Sequence, residues 1–583
     1  MEYAAIYHDM DKRYCYAVDK NKFIIRITTK KGDMEKVTLH TQDKYIPLVK
    51  KDTRAEYPME KAASDEYHDY YETELTFSVI CLRYFFELTD KAGVTAYYGN
   101  YEFSGSVIES IDKMFDCPQN LREEERFVTP EWAKNAVVYQ IFPARFASSE
   151  NQKDSHWYKA PIGHRDNLHG DLRGMISHLP HMKELGVDVL YLTPIFQSGS
   201  SHKYDTIDYK KIDPSFGTEE DLKELAEKAH ELGMRIILDG VFNHTSPKFF
   251  AFADIEKNKE NSRYLDWYFI EKFPLFEQDW KQINFKTFGY YGGMPKLNLR
   301  NPEVEQYVFD VAEYWIKRCG IDGWRLDVGD EIGHRFWKRF REKVKSVNPE
   351  ALIIGEVWHP ANDYLEGDEW DTMMNYHFFL TVKDFVADGS ITATEFAERM
   401  DFMRGTVHSA VYPLLWNLID SHDTARFMYL CGEQKEKFKL AAAIQLLSPG
   451  MPMIFYGDEY GMKGGGDPDC RRGMLWKEEY QDLEIYSWYR KLIALRKKFP
   501  ALTSGKLTAL KTEDRQGIVQ YEKTAENGER ITLMFHNSPG ELELPEKRGQ
   551  IEEISGQVFD GVVKPYQTLV FSEKGQVSGE SYQ

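Results

Sequence analysis

The chain has 583 residues, 42% hydrophobic and 14% aromatic, more than one core usually organises; disorder is excluded and a central domain with smaller flanking domains is expected. Its 94 acidic side chains against 74 Lys and Arg give a net charge of −20, which excludes nucleic-acid and anionic-membrane partners and favours a neutral ligand. The opening MEYAAIYHDMDKRY lacks the apolar stretch of a signal peptide, no segment is long enough to span a bilayer, and six scattered cysteines show no paired spacing, so a cytoplasmic protein with reduced thiols is expected.

Over residues 1–125 polar and apolar positions alternate in KFIIRITTKK, KVTLHTQ, ELTFSVICLRYFFELTD and VTAYYGNYEF, broken by turns at KKGD and TDKAG. A period of two predicts an N-terminal β-sandwich domain. The charged segment CPQNLREEERFVTPEW, with two prolines, reads as the linker that ends it. From about residue 135 the texture changes to short apolar strands separated by helical stretches: VVYQIF, VDVLYLTPI, RIILDGVF, IDGWRLDV, ALIIGEVW, TMMNYH, PLLWNLID and PMIFYGDE. Eight such units predict an α/β fold, a (β/α)8 TIM barrel over 126–502. Between its third strand and the following helix lies an aromatic-rich insertion, about 245–300, long enough to roof a cleft. Beyond 503 the short runs GIVQYEKT, ERITLMFHN and QTLVFS predict a C-terminal antiparallel β domain, 503–583, with a frayed last ten residues.

Chemistry concentrates at the ends of the barrel strands, in DGVFNH (239–244), GWRLDV (323–328), GEVWH (355–359) and DSHD (420–423), with MPKLN (294–298) and YGDE (456–459) beside them. Strand C-terminal ends face one common site in such a barrel. Cleaving a glycosidic bond with retention requires a carboxylate nucleophile and a carboxylic acid about 5–5.5 Å from it. Asp327 stands two residues after Arg325, so both point to one strand face, where the cation is expected to lower the acid's pKa and keep the nucleophile ionised. Glu356, between apolar LIIG and Trp358, is expected to be the proton donor, its pKa raised by desolvation and by neighbouring acids. Asp423 is the third carboxylate, gripping hydroxyls as positive charge develops on the ring. A lone strand-end histidine is more often a core group, but His244 follows Asn243 and His422 precedes Asp423, which points both at ring hydroxyls. Tyr204 in SHKYDT offers a ring to stack under a pyranose, and Trp358, Phe288 and Tyr290 offer further platforms. Zinc-peptidase, Walker and Rossmann patterns are missing.

These segments resemble the α-amylase family, glycoside hydrolase family 13, and MPKLN with GEVWH is similar to its neopullulanase, cyclomaltodextrinase and maltogenic amylase branch. AIYH and the β-rich start resemble that branch's N-terminal module (carbohydrate-binding module family 34), and VYQIFP, HKYDT, DPDCRR and GMLW fit it further on. The resemblance implies a retaining mechanism with Asp327 as nucleophile, Glu356 as acid/base and Asp423 as transition-state stabiliser. It further implies Arg325, His244, His422 and Tyr204 around the glucose that is attacked, architectural roles for Asp239 and Asn243, Trp358 and Glu331 on the acceptor side, and Asp469 and Arg472 on the donor side. It also implies a homodimer built through the N-terminal domain.

Three departures stand out. Where the branch carries the calcium loop ANGDPSND, this chain reads ASSENQKD (147–154); Glu150, Asp154 and Asp171 offer oxygens, but Lys153 brings an ammonium, so no cofactor is expected to be required and a structural calcium site is left open. The second motif reads GDE (329–331) for ANE, and Pro360 enters the acceptor loop. The expected function is therefore hydrolysis of α-1,4-glucosidic bonds in cyclodextrins, pullulan and maltooligosaccharides or starch, with some transglycosylation. The alternatives are a 4-α-glucanotransferase or oligo-α-glucosidase on the same fold, and, from another class, a catalytically silent glucan-binding protein.

Overall fold

Residues 22–30, KFIIRITTK, form a strand with all but its two ends buried, where a strand of an isolated sandwich would show solvent on every second residue. The computed structural model describes every residue except 11–12, 20, 48–49, 51–52, 101, 119–126, 151–152, 165, 278–281 and 574–583. The described part divides into two units, one of residues 1–129, 361–368 and 394–412, the other of 130–360, 369–393 and 413–583.

In the first unit two antiparallel sheets face each other. One has the order Cys15–Asp19, Lys22–Lys30, His68–Thr76, Glu60–Ser64; the other runs Ala55–Pro58, Met34–Asp43, Cys81–Asp90, Thr95–Gly99, Glu102–Ser104, with Phe115–Pro118 added along Cys81–Asp90. Phe23, Ile25, Ile27 and Leu75 from the first sheet interdigitate with Val37, Leu39, Tyr84, Phe86 and Leu88 from the second. The sandwich expected from the alternation is present. Residues 394–412 explain the strand buried on both faces. Arg26, on its outer face, pairs with Glu72 and donates to the carbonyls of Gly405 (2.6 Å) and Val407 (2.9 Å). Tyr16 stacks on His408 with ring centroids 4.0 Å apart.

The second unit contains eight parallel strands, β1 (Val138–Ile141), β2 (Val189–Leu192), β3 (Arg235–Gly240), β4 (Gly323–Leu326), β5 (Leu352–Gly355), β6 (Thr372–Asn375), β7 (Trp416–Leu418) and β8 (Met451–Phe455). They pair in chain order and close into a barrel, β1 beside β8. Four helices show how the sequence punctuates the crossovers. Helix α1 (Leu172–Leu185) is capped by Asp171 and stopped by Gly186 in the left-handed conformation, and α2 (Glu219–Glu231) opens with a Thr218–Asp221 capping box. Helix α3 (Pro302–Cys319) has Asn301 as N-cap, Pro302 at its first turn and left-handed Gly320 after it, and α4 (His334–Val347) leads from β4 towards β5. The β5–β6 crossover departs from the expected strand–helix rhythm, with only the short 3-10 turn Asn362–Tyr364. Its sequence, HPANDYLEGD, carries Pro, Asn, Asp and Gly where a helix needs none, and residues 361–368 pack with the first unit instead.

The insertion after β3 is tied down by its own last residues. Lys296 bridges His244 and Leu297 bridges Tyr268, so MPKLN returns as a strand-like stitch beside the end of DGVFNH. The antiparallel sheet expected near the C-terminus runs Lys506–Glu513, Ile518–Thr524, Arg530–His536, Thr568–Glu573 over Met534, Val563, Leu569 and Phe571. Half of the expected linker, 119–126, and the whole of the expected frayed end, 574–583, lie outside the described residues. Among the described residues no helix is long and apolar enough to cross a membrane.

Candidate active site

Register builds the site. Asp239 on β3 pairs with Arg325 on β4, and Leu326 pairs with Gly355 on β5, so the next residue of each strand, Asp327 and Glu356, leaves the barrel at matched height. The ladder continues past the strand ends, with Asp327 N donating to Gly240 O (3.2 Å) and Glu356 N to Leu326 O (3.0 Å). Neighbouring strands run ~4.8 Å apart. Asp327 and Glu356 therefore leave the same end of the barrel from neighbouring strands. Gly355 is required here, since a Cβ on it would lie 2.1 Å from the Trp370 ring.

One guanidinium organises three acids. Arg325 Nη1 lies 3.0 Å from Asp239 Oδ1 and 2.9 Å from Asp327 Oδ1, while Nη2 is 2.9 Å from Glu356 Oε2. Glu356 is further fixed by the Val328 amide on Oε2 (2.9 Å) and the Trp358 indole on Oε1 (3.3 Å). Val328 adopts φ 48°, ψ 49°, a left-handed conformation that a β-branched residue reaches only under strain. That conformation aims its N–H at the acid.

Arg325 pulls the Asp327 pKa down, as expected, but the net shift is upward. Burial, then the charge of Glu356, raise it well above the usual carboxylate range, and Arg325, divided among three acids, only opposes them. Burial likewise pushes Asp239 up to about 6.

A second chain of contacts carries this cluster to Asp423. Tyr191 and Tyr204 donate to Asp239 Oδ2 at 2.7 and 3.0 Å. Gln140 Nε2 donates to His422 Nδ1 (2.8 Å), which puts the ring proton on Nε2, 2.5 Å from Tyr204 Oη and 3.2 Å from Asp423 Oδ2. Tyr204 also stacks parallel to His422, with centroids 5.6 Å apart. Arg471 Nε holds the His422 carbonyl at 2.8 Å and its Nη2 reaches Asp423 Oδ1 at 3.5 Å. Burial, helped by Arg471 and Arg325, holds the His422 pKa well below its ordinary value, so the ring is neutral.

On the other side His244 is buried and stacked on Phe288 (5.0 Å, 7°), and burial with Lys296 pushes its pKa down to about 3. Lys296 contacts the Asn243 amide oxygen and pairs with Glu331 Oε2 at 2.8 Å. Trp358 is 47% exposed and stacks on buried Tyr376 at 4.0 Å, while Tyr290 is 96% exposed. Arg472 Nε and Nη2 donate to Asp469 Oδ1 and Oδ2 (2.9 and 2.6 Å), and Asp469 also accepts from the backbone N–H groups of Ile162 and Gly465. Sequence reading missed Gln140, Tyr191, Val328, Tyr376, Lys296 and Arg471. Gln140 in VVYQIF had one usable signal, a polar side chain inside an apolar barrel strand.

At the loop 147–154 the Asp154 carboxylate and that of its neighbour Asp171 already have partners. Asp154 is ion-paired with Lys477, and Asp171 is committed to the Gly174 amide (2.6 Å) and to Ser149 N and Oγ (2.9 and 2.8 Å). Among the described residues no cluster of three or more His, Cys, Asp or Glu is arranged to hold a metal.

Residues 140–482 match the family described as alpha amylase, catalytic domain, and residues 1–119 match the alpha amylase N-terminal ig-like domain. The chain belongs to the alpha-amylase family. This alpha-amylase family glycoside hydrolase is 40% identical to Neopullulanase 2 of Thermoactinomyces vulgaris, over 97% of this chain and 98% of that one. It is also 40% identical to a cyclomaltodextrinase of Geobacillus thermopakistaniensis, over 94% and 93%. A solved cyclomaltodextrinase structure superimposes with a TM-score of 0.89 at 36% identity, covering 99% of this chain and 98% of that one.

Proposed function

We propose that this alpha-amylase family enzyme hydrolyses α-1,4-glucosidic bonds in cyclodextrins, pullulan and maltooligosaccharides with net retention, and transfers some glycosyl units to sugar acceptors. The observation that carries the reading is the single Arg325 guanidinium shared by Asp239, Asp327 and Glu356 at the ends of three adjacent strands. The names of the full-length relatives, neopullulanase and cyclomaltodextrinase, support the substrate range.

In this mechanism the proton of the pair sits on Glu356, which removes the like charge that raises Asp327 and leaves Arg325 to favour its carboxylate; a carboxylate oxygen of Asp327 attacks the anomeric carbon while Glu356 gives its proton to the departing glycosidic oxygen. The C1–O bond breaks and an ester to Asp327 forms. Glu356, now a carboxylate, takes a proton from water, whose oxygen displaces Asp327 and restores the original anomer. Replacing that water by a sugar hydroxyl gives transfer. Asp423 and the neutral rings of His422 and His244 hold hydroxyls as positive charge grows on the ring, and Tyr204 lies under it. Trp358 and Glu331 serve the acceptor side, Asp469 and Arg472 the donor side. The reaction needs no cofactor. In its cell the enzyme is a cytoplasmic homodimer.

The test incubates the protein with γ-cyclodextrin, pullulan and maltotriose separately and follows the products and their anomeric form. Cyclodextrin opening with retained anomers is expected. Disproportionation of maltotriose with cyclodextrin untouched assigns a 4-α-glucanotransferase instead, and glucan binding without reducing-sugar release assigns a silent binding protein. Glu356→Gln should lower turnover by about three orders of magnitude or more while maltooligosaccharide binding stays measurable, because only proton delivery is lost.

A further inference from the structure

Two cysteines far apart in the chain meet inside the first unit. Cys15 opens the strand Cys15–Asp19 at the edge of one sheet, opposite Ile25, and Cys117 lies in Phe115–Pro118 of the other sheet, opposite Leu82. Ile25 and Leu82 both belong to the core between the sheets, as does Cys117, and half-buried Cys15 packs against that core. The two thiols are close enough to share a hydrogen bond. Cys81 pairs with Pro118 one step along the same ladder, and since successive strand residues face opposite ways, it leaves the sheet on the face away from Leu82 and Cys117.

We propose that Cys15 and Cys117 form a reversible disulfide when the enzyme meets hydrogen peroxide, and that the bond staples the two sheets of the sandwich at this edge. Cys15 is the thiol oxidised first. Cys117 is 1% exposed, and its hydrogen bond to Cys15, together with burial, holds its thiol far above the ordinary range, so it stays protonated. Cys15 is reachable and has a route for its proton. His8 Nδ1 donates to Arg26 O (2.6 Å), which leaves Nε2 to accept from Tyr84 Oη at 2.9 Å, and the same hydroxyl is hydrogen-bonded to Cys15. As the thiol proton moves to Oη, the hydroxyl proton moves to Nε2, and Tyr84 then donates to the thiolate.

The peroxide is the sole oxidant needed. The Cys15 thiolate sulfur attacks one peroxide oxygen, the O–O bond breaks, and the departing hydroxide takes the proton held at His8 and leaves as water, with a sulfenic acid left on Cys15. The Cys117 sulfur then attacks the Cys15 sulfur, S–S forms as S–O breaks, and the Cys117 proton leaves with the hydroxide as a second water. Two thiols lose two electrons and one hydrogen peroxide becomes two waters. Closing a loop of roughly 100 residues restricts the unfolded chain, so the oxidised sandwich is the more stable form. In the reducing compartment proposed above such bonds are transient and are undone by thiols, which suits a switch.

The test treats the whole folded enzyme with hydrogen peroxide, then denatures it, blocks the remaining thiols with N-ethylmaleimide and maps its peptides by mass without reductant. The expected product is a peptide pair joined at Cys15 and Cys117, about 2 Da lighter than its two thiol forms together and separated by dithiothreitol. In Cys117→Ala, dimedone should trap a sulfenic acid on Cys15, while in Cys15→Ser, Cys117 should stay a thiol. Amide exchange across Cys15–Asp19 should slow about tenfold or more in the oxidised wild-type enzyme. A bridge through Cys81, a bond between two chains, Cys15 left as a thiol or carried on to sulfinic acid in the wild type, or equal amide exchange in the two redox forms overturns the inference. Where a variant fails to fold, the wild-type peptide map decides alone.

Discussion

His244 shows how a site residue sets a property of the whole fold. Its ring is buried and neutral, with a pKa near 3, whereas a histidine in the unfolded chain titrates near about 6.5. Between those values the unfolded state binds a proton that the folded state does not, so stability is fully present above about pH 6.5 and falls as pH drops towards 3. His244→Gln removes that proton, and the acid-side slope of unfolding free energy against pH should flatten by about 1.4 kcal/mol per pH unit. Denaturant titrations from pH 4 to pH 7 read this; an unchanged slope would show that His244 is charged in the folded enzyme. His422 acts with the same sign, and Asp239, whose pKa is raised, with the opposite one: its contribution is lost as pH rises through about 6. Trp358 is a second single-residue case. Its exposed face is available to a sugar while its other face rests on Tyr376 and its N–H holds Glu356. Trp358→Ala should lower the ratio of transfer to hydrolysis on maltotriose, and, through the lost hydrogen bond, lower turnover as well. A normal ratio would mean that acceptors do not use the ring.

At the scale of elements, two segments do work that their local sequence does not announce. The loop and helix around 394–412 come from the barrel part of the chain yet complete the first unit, covering the outer face of Lys22–Lys30. Arg26 is the joint, fully buried, with its charge met by Glu72 and its other donors by two backbone carbonyls. Removing one member of such a buried set leaves the rest unpaired, so Arg26→Met should cost about 3 kcal/mol of stability in denaturant unfolding. A cost below about 1 kcal/mol would mean that water reaches those carbonyls. MPKLN is the other segment. It closes the insertion on itself and sets Lys296 against Asn243 and Glu331, so it positions the cleft wall without carrying catalytic chemistry.

For the whole molecule, the donor set at 147–154 decides a prediction about metal. Asp154 and Asp171 already have cationic or N–H partners, so stability should not draw on a bound cation. Dialysis against EDTA is expected to leave Tm unchanged within about 1 °C, since only a ligand bound to the folded state raises it. A fall of several degrees, restored by calcium, would show a bound ion. Light scattering should give twice the chain mass if the proposed dimer forms.

The eight barrel strands, the flanking β domains and the position of Asp327, Glu356 and Asp423 beyond the ends of barrel strands were readable from the sequence, because period, turn residues and strand-end position are local properties of the chain. What the sequence could not supply was the sharing of charge. It paired Arg325 with Asp327 as chain neighbours, whereas the closed barrel gives the same guanidinium to Asp239 and Glu356 from adjacent strands. Gln140 and Tyr191 were hidden for the same reason, since their partners lie on other strands and only the barrel's register brings them within hydrogen-bond reach. The sign of the Asp327 shift was decided there too, because burial and the proximity of a second acid depend on tertiary packing and outweigh a cation two residues away.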